Sequence, residues 1–268
     1  MDMVFFASSQ ALYLLATVAF ISHLTMLRDP PRRVALISLA VGFALSTAGL
    51  LARAGEVIEL RSAHDRLAIL AWFLVAVYLL LQVRYRLAVV GALVSPLAFL
   101  ITLSAYIAVA GNSGLGDPAP SAWLPAHVAP VFLGYAILVV ASCLSIIYLL
   151  HERQLKTKRP SGLARRLPSL ETLDELNYRC VAWGFALFTI GIITGSILAK
   201  VTWGTFWVWD PVEILSILAW LVYAVLLQSR SSGWRGRRAA TLTLAGSVLL
   251  VVSFLCLNFG LAHGGAVG

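Results

Sequence analysis

Charge is scarce in this chain. Asp, Glu, Lys and Arg together make up only 12% of its residues, against about 25% in soluble domains. With 60% hydrophobic residues and a mean hydropathy of +0.89, that scarcity excludes an ordinary soluble fold. Cysteine is nearly absent as well. Cys143, Cys180 and Cys256 stand far apart with no CxxC spacing, which excludes a disulfide framework, a zinc site and a thiol relay. They are read as small packing residues. No P-loop suggests use of ATP. There is no internal repeat, no low-complexity tract and no charge-rich stretch long enough for a separate soluble domain. Residues 1–268 are therefore read as a single transmembrane domain.

What fills the chain instead is apolar runs of about twenty residues, the length that crosses a bilayer's hydrocarbon core. They predict an all-α polytopic membrane protein with eight spans, at roughly 4–27, 34–53, 66–82, 87–109, 127–150, 181–199, 213–229 and 239–259. The first run is too long for a signal peptide and no basic residue precedes it, so it is expected to stay as a span. The formal charge of +8 does not imply nucleic acid. Of the twenty Lys and Arg, three fall in 28–33, two in 84–86, seven in 153–179 and four in 230–238, all in alternate connections. Arg53, Arg61, Arg66 and Lys200 lie on the other side. This positive-inside asymmetry places both termini outside the cytoplasm, in a plasma (inner) membrane, with the lipid bilayer as the polar segments' neighbour. The basic inner connection 151–180 has breakers at Pro160, Gly162 and Pro168 and room for a short amphipathic helix near Leu170–Tyr178.

The outer connection before the seventh span is the most distinctive stretch: Trp203-Gly204-Thr205-Phe206-Trp207-Val208-Trp209-Asp210-Pro211-Val212-Glu213. An aromatic belt explains tryptophan at an interface, because the ring is apolar and its N–H wants a partner. Asp210, Pro211 and Glu213 equally fit a helix start with an N-cap, a first-position proline and a capping-box acid. Yet four aromatics in so short a loop exceed what an interface needs. A flat conjugated ligand needs a wall of rings, and Gly204 would let backbone approach it closely.

Topology sorts the five histidines. His127 at the outer end of the fifth span and His263 just beyond the eighth share a side with the tryptophans. Two neutral imidazoles meeting a plane from opposite faces would supply axial ligands to haem iron; alternatively, each is an interfacial hydrogen-bonding residue. His64, on a charged outer hairpin, is expected to be solvated, and His151, opening the basic inner loop, to lie at the surface. His23 lies within the first span, where an ionisable residue is a functional candidate by default. Lys200, Arg53, Arg61 and Arg66 are candidates to neutralise haem propionates; alternatively, Lys200 snorkels from the end of the sixth span.

Trp203-Gly204, Trp207, Trp209-Asp210 and Glu213 match the WGxxWxWDxxE signature of the cytochrome c assembly superfamily, the tryptophan-rich WWD proteins that handle haem. With Trp220-Leu221-Val222-Tyr223, the stretch resembles the CcsA/ResC branch more than the CcmC branch. Trp123 to Val128 with Gly134-Tyr135, and Asn258 to His263, resemble the family segments that carry the two outer histidines. The resemblance covers residues 123–268 well and the earlier spans loosely.

It implies a System II cytochrome c maturation factor that carries b-type haem as cargo. Such a protein works with a CcsB/ResB-like membrane partner, presents haem for thioether attachment to the CxxCH cysteines of apocytochrome c, and depends on thiol-reducing thioredoxin-like factors. By position, His127 and His263 would ligate iron, and Lys200, Trp203, Gly204, Trp207, Trp209, Asp210 and Glu213 would surround the haem. Where that branch places a histidine inside the seventh span, this chain has Gln228, a poor iron ligand. Either transit across the membrane uses another residue, His23 being the intramembrane candidate, or only the outer site remains. The chain would then be a haem chaperone without transport or ligation activity. A secondary transporter lacks support, since no matched broken helices are visible. An electron-transfer cytochrome b would pair histidines within its spans.

Overall fold

A computed structural model describes residues 2–26, 30–53, 63–85, 87–108, 123–157 and 167–258. Eight helices account for nearly all of them: α1 Asp2–Met26, α2 Pro30–Arg53, α3 Ala63–Tyr85, α4 Ala88–Ala108, α5 Trp123–Lys156, α6 Leu170–Trp203, α7 Pro211–Ser231 and α8 Arg237–Asn258. Every one is long and apolar enough to cross a membrane, and no strand occurs among the described residues. The eight-span, all-α reading holds. In lipid the backbone has no water to bond, so each span must satisfy its own N–H and C=O groups, and a helix does that within one segment.

Two helices outrun their expected spans. α5 and α6 have 34 residues each, about 51 Å at 1.5 Å per residue, against a hydrocarbon core of about 30 Å. The stretch Leu170–Tyr178 is thus not a separate surface helix but the first turns of α6. Nothing breaks either helix where hydropathy falls, and i,i+4 pairs support the polar extensions: Glu152 with Lys156 at 2.7 Å and Glu175 with Arg179 at 2.8 Å.

The helices group into two compact units. The first comprises Met1–Asn112 and Leu149–Leu170, hence α1 to α4 with the end of α5. Here the Tyr13 hydroxyl meets Ser46 Oγ at 3.2 Å and Trp72 Nε1 donates to Thr47 Oγ1 at 2.8 Å, tying α2 to α1 and to α3. Gly91 on α4 leaves room for the Phe20 ring and the Tyr78 hydroxyl, where a Cβ would collide with both. Two expectations fail in this unit. His64 is buried, not solvated: it sits in the first turn of α3, its Nδ1 lies 3.1 Å from the Ala105 carbonyl of α4, and the Phe6 ring meets its edge. His151 is buried too, because α5 continues past it as packed helix where a loop was expected. His23 is buried within α1. The Arg53 side chain and Arg61 lie outside what is described.

The second unit comprises Ser113–Tyr148 and Glu171–Gly268, hence the body of α5 with α6, α7 and α8. α5 and α6 approach closely through glycine: a Cβ on Gly134 would lie 3.1 Å from the Phe188 backbone nitrogen, and one on Gly184 would lie 2.7 Å from Leu138. Small residues allow such contact in membranes, where dispersion and hydrogen bonds, not hydrophobicity, join helices. The bonds link all four helices of the unit. Asn177 Nδ2 on α6 donates to the Ala141 carbonyl at 2.8 Å and to Ser145 Oγ at 2.7 Å, while Thr243 of α8 donates to its Oδ1 at 3.2 Å. The Tyr223 hydroxyl of α7 meets Ser247 Oγ at 2.9 Å, and Ser247 also meets Ser142. Cys143 and Cys180 are buried beside this network, as packing residues should be.

One end of the unit is clamped by charge. Arg230 Nη1 on α7 reaches both oxygens of the Asp174 carboxylate on α6, at 3.0 and 2.8 Å, and stacks over the Tyr178 ring. The Gly236 amide donates to the same carboxylate at 2.8 Å, which fixes the turn into α8. The opposite end is where α5 and α7 begin and α6 and α8 finish.

Candidate functional site: a histidine seat and a tied aromatic loop

That opposite end carries His127, Lys200, Trp203, Gly204, Trp207, Trp209, Asp210 and Glu213. On α5, one turn past Trp123, His127 faces α6. Its Nδ1 lies 2.9 Å from the Gly191 carbonyl. A carbonyl only accepts, so Nδ1 must donate, and the neutral ring then carries its lone pair on Nε2. The seat for the ring is made by a missing side chain: a Cβ on Gly195 would lie 2.8 Å from His127 Cε1. Gly191, one turn earlier, makes the same allowance for Val131. The spacing Gly191-Ile-Ile-Thr-Gly195 was visible in the sequence, and its small-xxx-small pattern is the signal that would have located the seat.

Beyond Gly195, α6 continues for about two turns, roughly 12 Å, and ends at Trp203. Gly204 takes a left-handed φ of +76°, and its amide caps the helix by donating to the Lys200 carbonyl at 3.1 Å. Lys200 folds onto the loop. Its Nζ donates to the Gly204 carbonyl at 2.5 Å and sits 5.4 Å from the centre of the Phe206 ring. Residues 204–210 then cross to α7 without regular structure.

At the far end of the loop Asp210 is the N-cap of α7, its Oδ1 accepting from the Glu213 amide at 2.7 Å, with Pro211 at the helix start. The capping box forms with a shift. Glu213 Oε2 accepts from the amides of Val208 at 2.8 Å and Trp209 at 2.7 Å, upstream of the cap itself. The reason is Trp209, whose φ of 62° is left-handed and rare for a bulky residue. It turns the chain so that two successive N–H groups converge on one carboxylate, as in an anion-binding nest.

The loop's backbone is thus held while its rings project. Trp209 is 74% exposed and Trp203 50%, and Phe206 is exposed as well. The Trp207 ring lies 6.0 Å from that of Trp209, edge to face. Trp207 Nε1 is buried without a hydrogen-bond partner, a costly state for an N–H donor. The parts fit a flat, partly anionic ligand: ring surfaces, an unused donor, and an imidazole with its lone pair available. Chemically the arrangement can orient and hold a ligand, through ring contact, a hydrogen-bond donor and an imidazole lone pair.

α8 finishes at Asn258 on the side of α7's first turn, where Ser253 Oγ donates to the Val212 carbonyl at 3.2 Å. His263 follows five residues later and lies outside the described residues. Gln228, by contrast, is an exposed side chain in the last turns of α7. Among the described residues no cluster of three His, Cys, Asp or Glu could hold a metal ion.

Comparison with known proteins gives this architecture a lineage. The model of the family described as Cytochrome C assembly protein matches residues 62–263. The chain is 34% identical over 220 residues to the cytochrome c biogenesis protein CcsA of Guillardia theta, covering 75% of this chain and 73% of that protein. It is 30% identical over 267 residues to the CcsA of Porphyra purpurea, covering 84% and 83%. Among solved structures it resembles the cytochrome c heme lyase CcmF with a TM-score of 0.67 at 16% identity, covering 99% of this chain and 47% of that one. The chain thus spans about half the length of that protein, and the likeness is one of fold. The chain belongs to the cytochrome c assembly protein family and is a multi-pass membrane protein of the CcsA type of cytochrome c biogenesis protein.

Proposed function

We propose that this protein holds haem, as cargo, on the extracytoplasmic side of the plasma (inner) membrane and presents it for covalent attachment to apocytochrome c. The observation that carries the reading is the His127 ring: Gly191 fixes its tautomer and Gly195 its seat, leaving Nε2 to ligate iron at the end of the unit that bears the tryptophan loop. His263 supplies the second axial ligand. Trp203, Trp207 and Trp209 provide ring surface over Gly204, and the Trp207 N–H suits a propionate oxygen. Asp210 shapes the start of α7 beneath them. Both chain termini then lie outside the cytoplasm, and residues 1–268 act as one haem-handling domain.

The protein's share of the chemistry is orientation and exclusion of water and oxidant. The thioether bonds use the CxxCH thiols of the apocytochrome, kept reduced by thioredoxin-like factors, and a CcsB/ResB-like partner completes the complex. Buried Cys143 and Cys180 take no part.

Co-expression with a CcsB/ResB-like partner and a CxxCH reporter tests the proposal. Covalent, haem-staining reporter should form with the wild-type chain and fall at least tenfold with His127→Ala. A second reading, a haem chaperone without transport or ligation activity, is favoured by Gln228. It predicts haem bound to the purified chain while the reporter stays unmodified.

A further inference from the structure

We infer that Lys200 and Glu213 are positioning residues, which tie the two ends of the tryptophan loop so that its indoles form a fixed platform, and that neither side chain contacts the cargo. The inference rests on the proposed haem site and assigns these two residues a different part in it. Each side chain is already committed. The Lys200 ammonium is spent on the Gly204 carbonyl at 2.5 Å and on the Phe206 ring. One oxygen of Glu213 takes both the Val208 and the Trp209 amide, at 2.8 and 2.7 Å. Turning either group toward a propionate or a porphyrin edge would strain charge-assisted bonds, which are among the stronger ones available to a loop.

The geometry explains why such ties are needed. Trp209 stands in a left-handed conformation that a bulky side chain adopts only when its surroundings hold it there. Its indole is 74% exposed and meets the Trp207 ring edge to face, a contact within the same loop that does not anchor it to a helix. The backbone does the holding instead, through Glu213 on one side of the residue and the Asp210 cap on the other. Gly204, also left-handed, is held in the same way by Lys200. A loop tied at the backbone with rings pointing out loses little further entropy when a flat ligand settles on it, so the ties act on affinity through preorganisation.

Hydrogen–deuterium exchange of the full-length, haem-free protein in detergent tests the ties, with Glu213→Ala, Glu213→Gln and Lys200→Met as variants. Haem dissociation from the loaded protein provides the second readout. Glu213→Ala should speed exchange at the Val208 and Trp209 amides at least tenfold and haem release by a similar factor, with the absorption maxima unchanged because ligation is untouched. Glu213→Gln, whose amide oxygen still accepts, should restore most of both. Lys200→Met should loosen the Gly204–Phe206 segment and leave the Val208 and Trp209 amides protected. Unchanged exchange in Glu213→Ala overturns the inference, and so does Glu213→Gln that keeps the amides protected but releases haem as fast as Glu213→Ala. A wild-type chain that takes up no haem while exchange follows the expected pattern sinks the proposed function and supports the ties.

Discussion

His127 and Gly191 are joined across α5 and α6 by a 2.9 Å hydrogen bond from ring nitrogen to carbonyl oxygen, and this bond sets which nitrogen of the imidazole can reach a metal. The same α6 backbone leads directly to the tryptophan loop, so the ring and the loop are positioned from one helix.

The seat of that ring gives the first prediction. In Gly195→Ala the new Cβ would stand 2.8 Å from His127 Cε1, so the imidazole must move and its bond to Gly191 must lengthen or break. Haem content should fall about tenfold, or the haem band should shift, while far-ultraviolet circular dichroism stays that of an intact bundle. Normal haem content and an unshifted band would show that the seat does not matter.

Trp209 offers a trade between stability and binding. Glycine carries no penalty at the φ of 62° found there, so Trp209→Gly should relieve strain of about 1 kcal/mol. Thermal unfolding in detergent should show a chain at least as stable as the wild type, with weaker haem retention because one exposed ring is gone.

One turn along α6 from the Asp174 clamp, Asn177→Ala removes three interhelical hydrogen bonds, to Ala141, Ser145 and Thr243. Bonds of this kind in membranes average about 0.6 kcal/mol each, so the loss should come to roughly 1–2 kcal/mol. Arg230→Lys keeps the charge but cannot bond the Asp174 carboxylate through one nitrogen and the Asp174 carbonyl through another, nor stack on Tyr178. A further loss of about 1–2 kcal/mol is expected. Unfolding equilibria in mixed detergent measure both, and haem spectra should be unchanged, since these residues lie toward the other end of the unit.

Much of this was legible before any coordinates. The eight spans follow from apolar run length, and the Asp210 cap follows from residue type. What escaped did so for physical reasons. Hydropathy treats a histidine among charges as solvated, so it could not show that the first turn of α3 is buried with His64 in it. Hydropathy also ends a helix where polarity begins, whereas α5 continues through His151 because polar residues are good helix formers with i,i+4 partners. The Glu213 carboxylate meets the Val208 and Trp209 amides only because Trp209 is left-handed, and no rule reads that conformation from a tryptophan. The Gly191–Gly195 seat, in contrast, was written in the spacing.

The most direct measurement is the absorption spectrum of the purified full-length chain, expressed with a CcsB/ResB-like partner in a haem-replete host. It is compared with His127→Gly and His263→Gly, with and without added imidazole. Ligation by both rings predicts a haem band in the wild type that is lost or shifted in each variant and restored when imidazole fills the vacated position. A wild-type chain without haem, or a band that neither substitution alters, would contradict it.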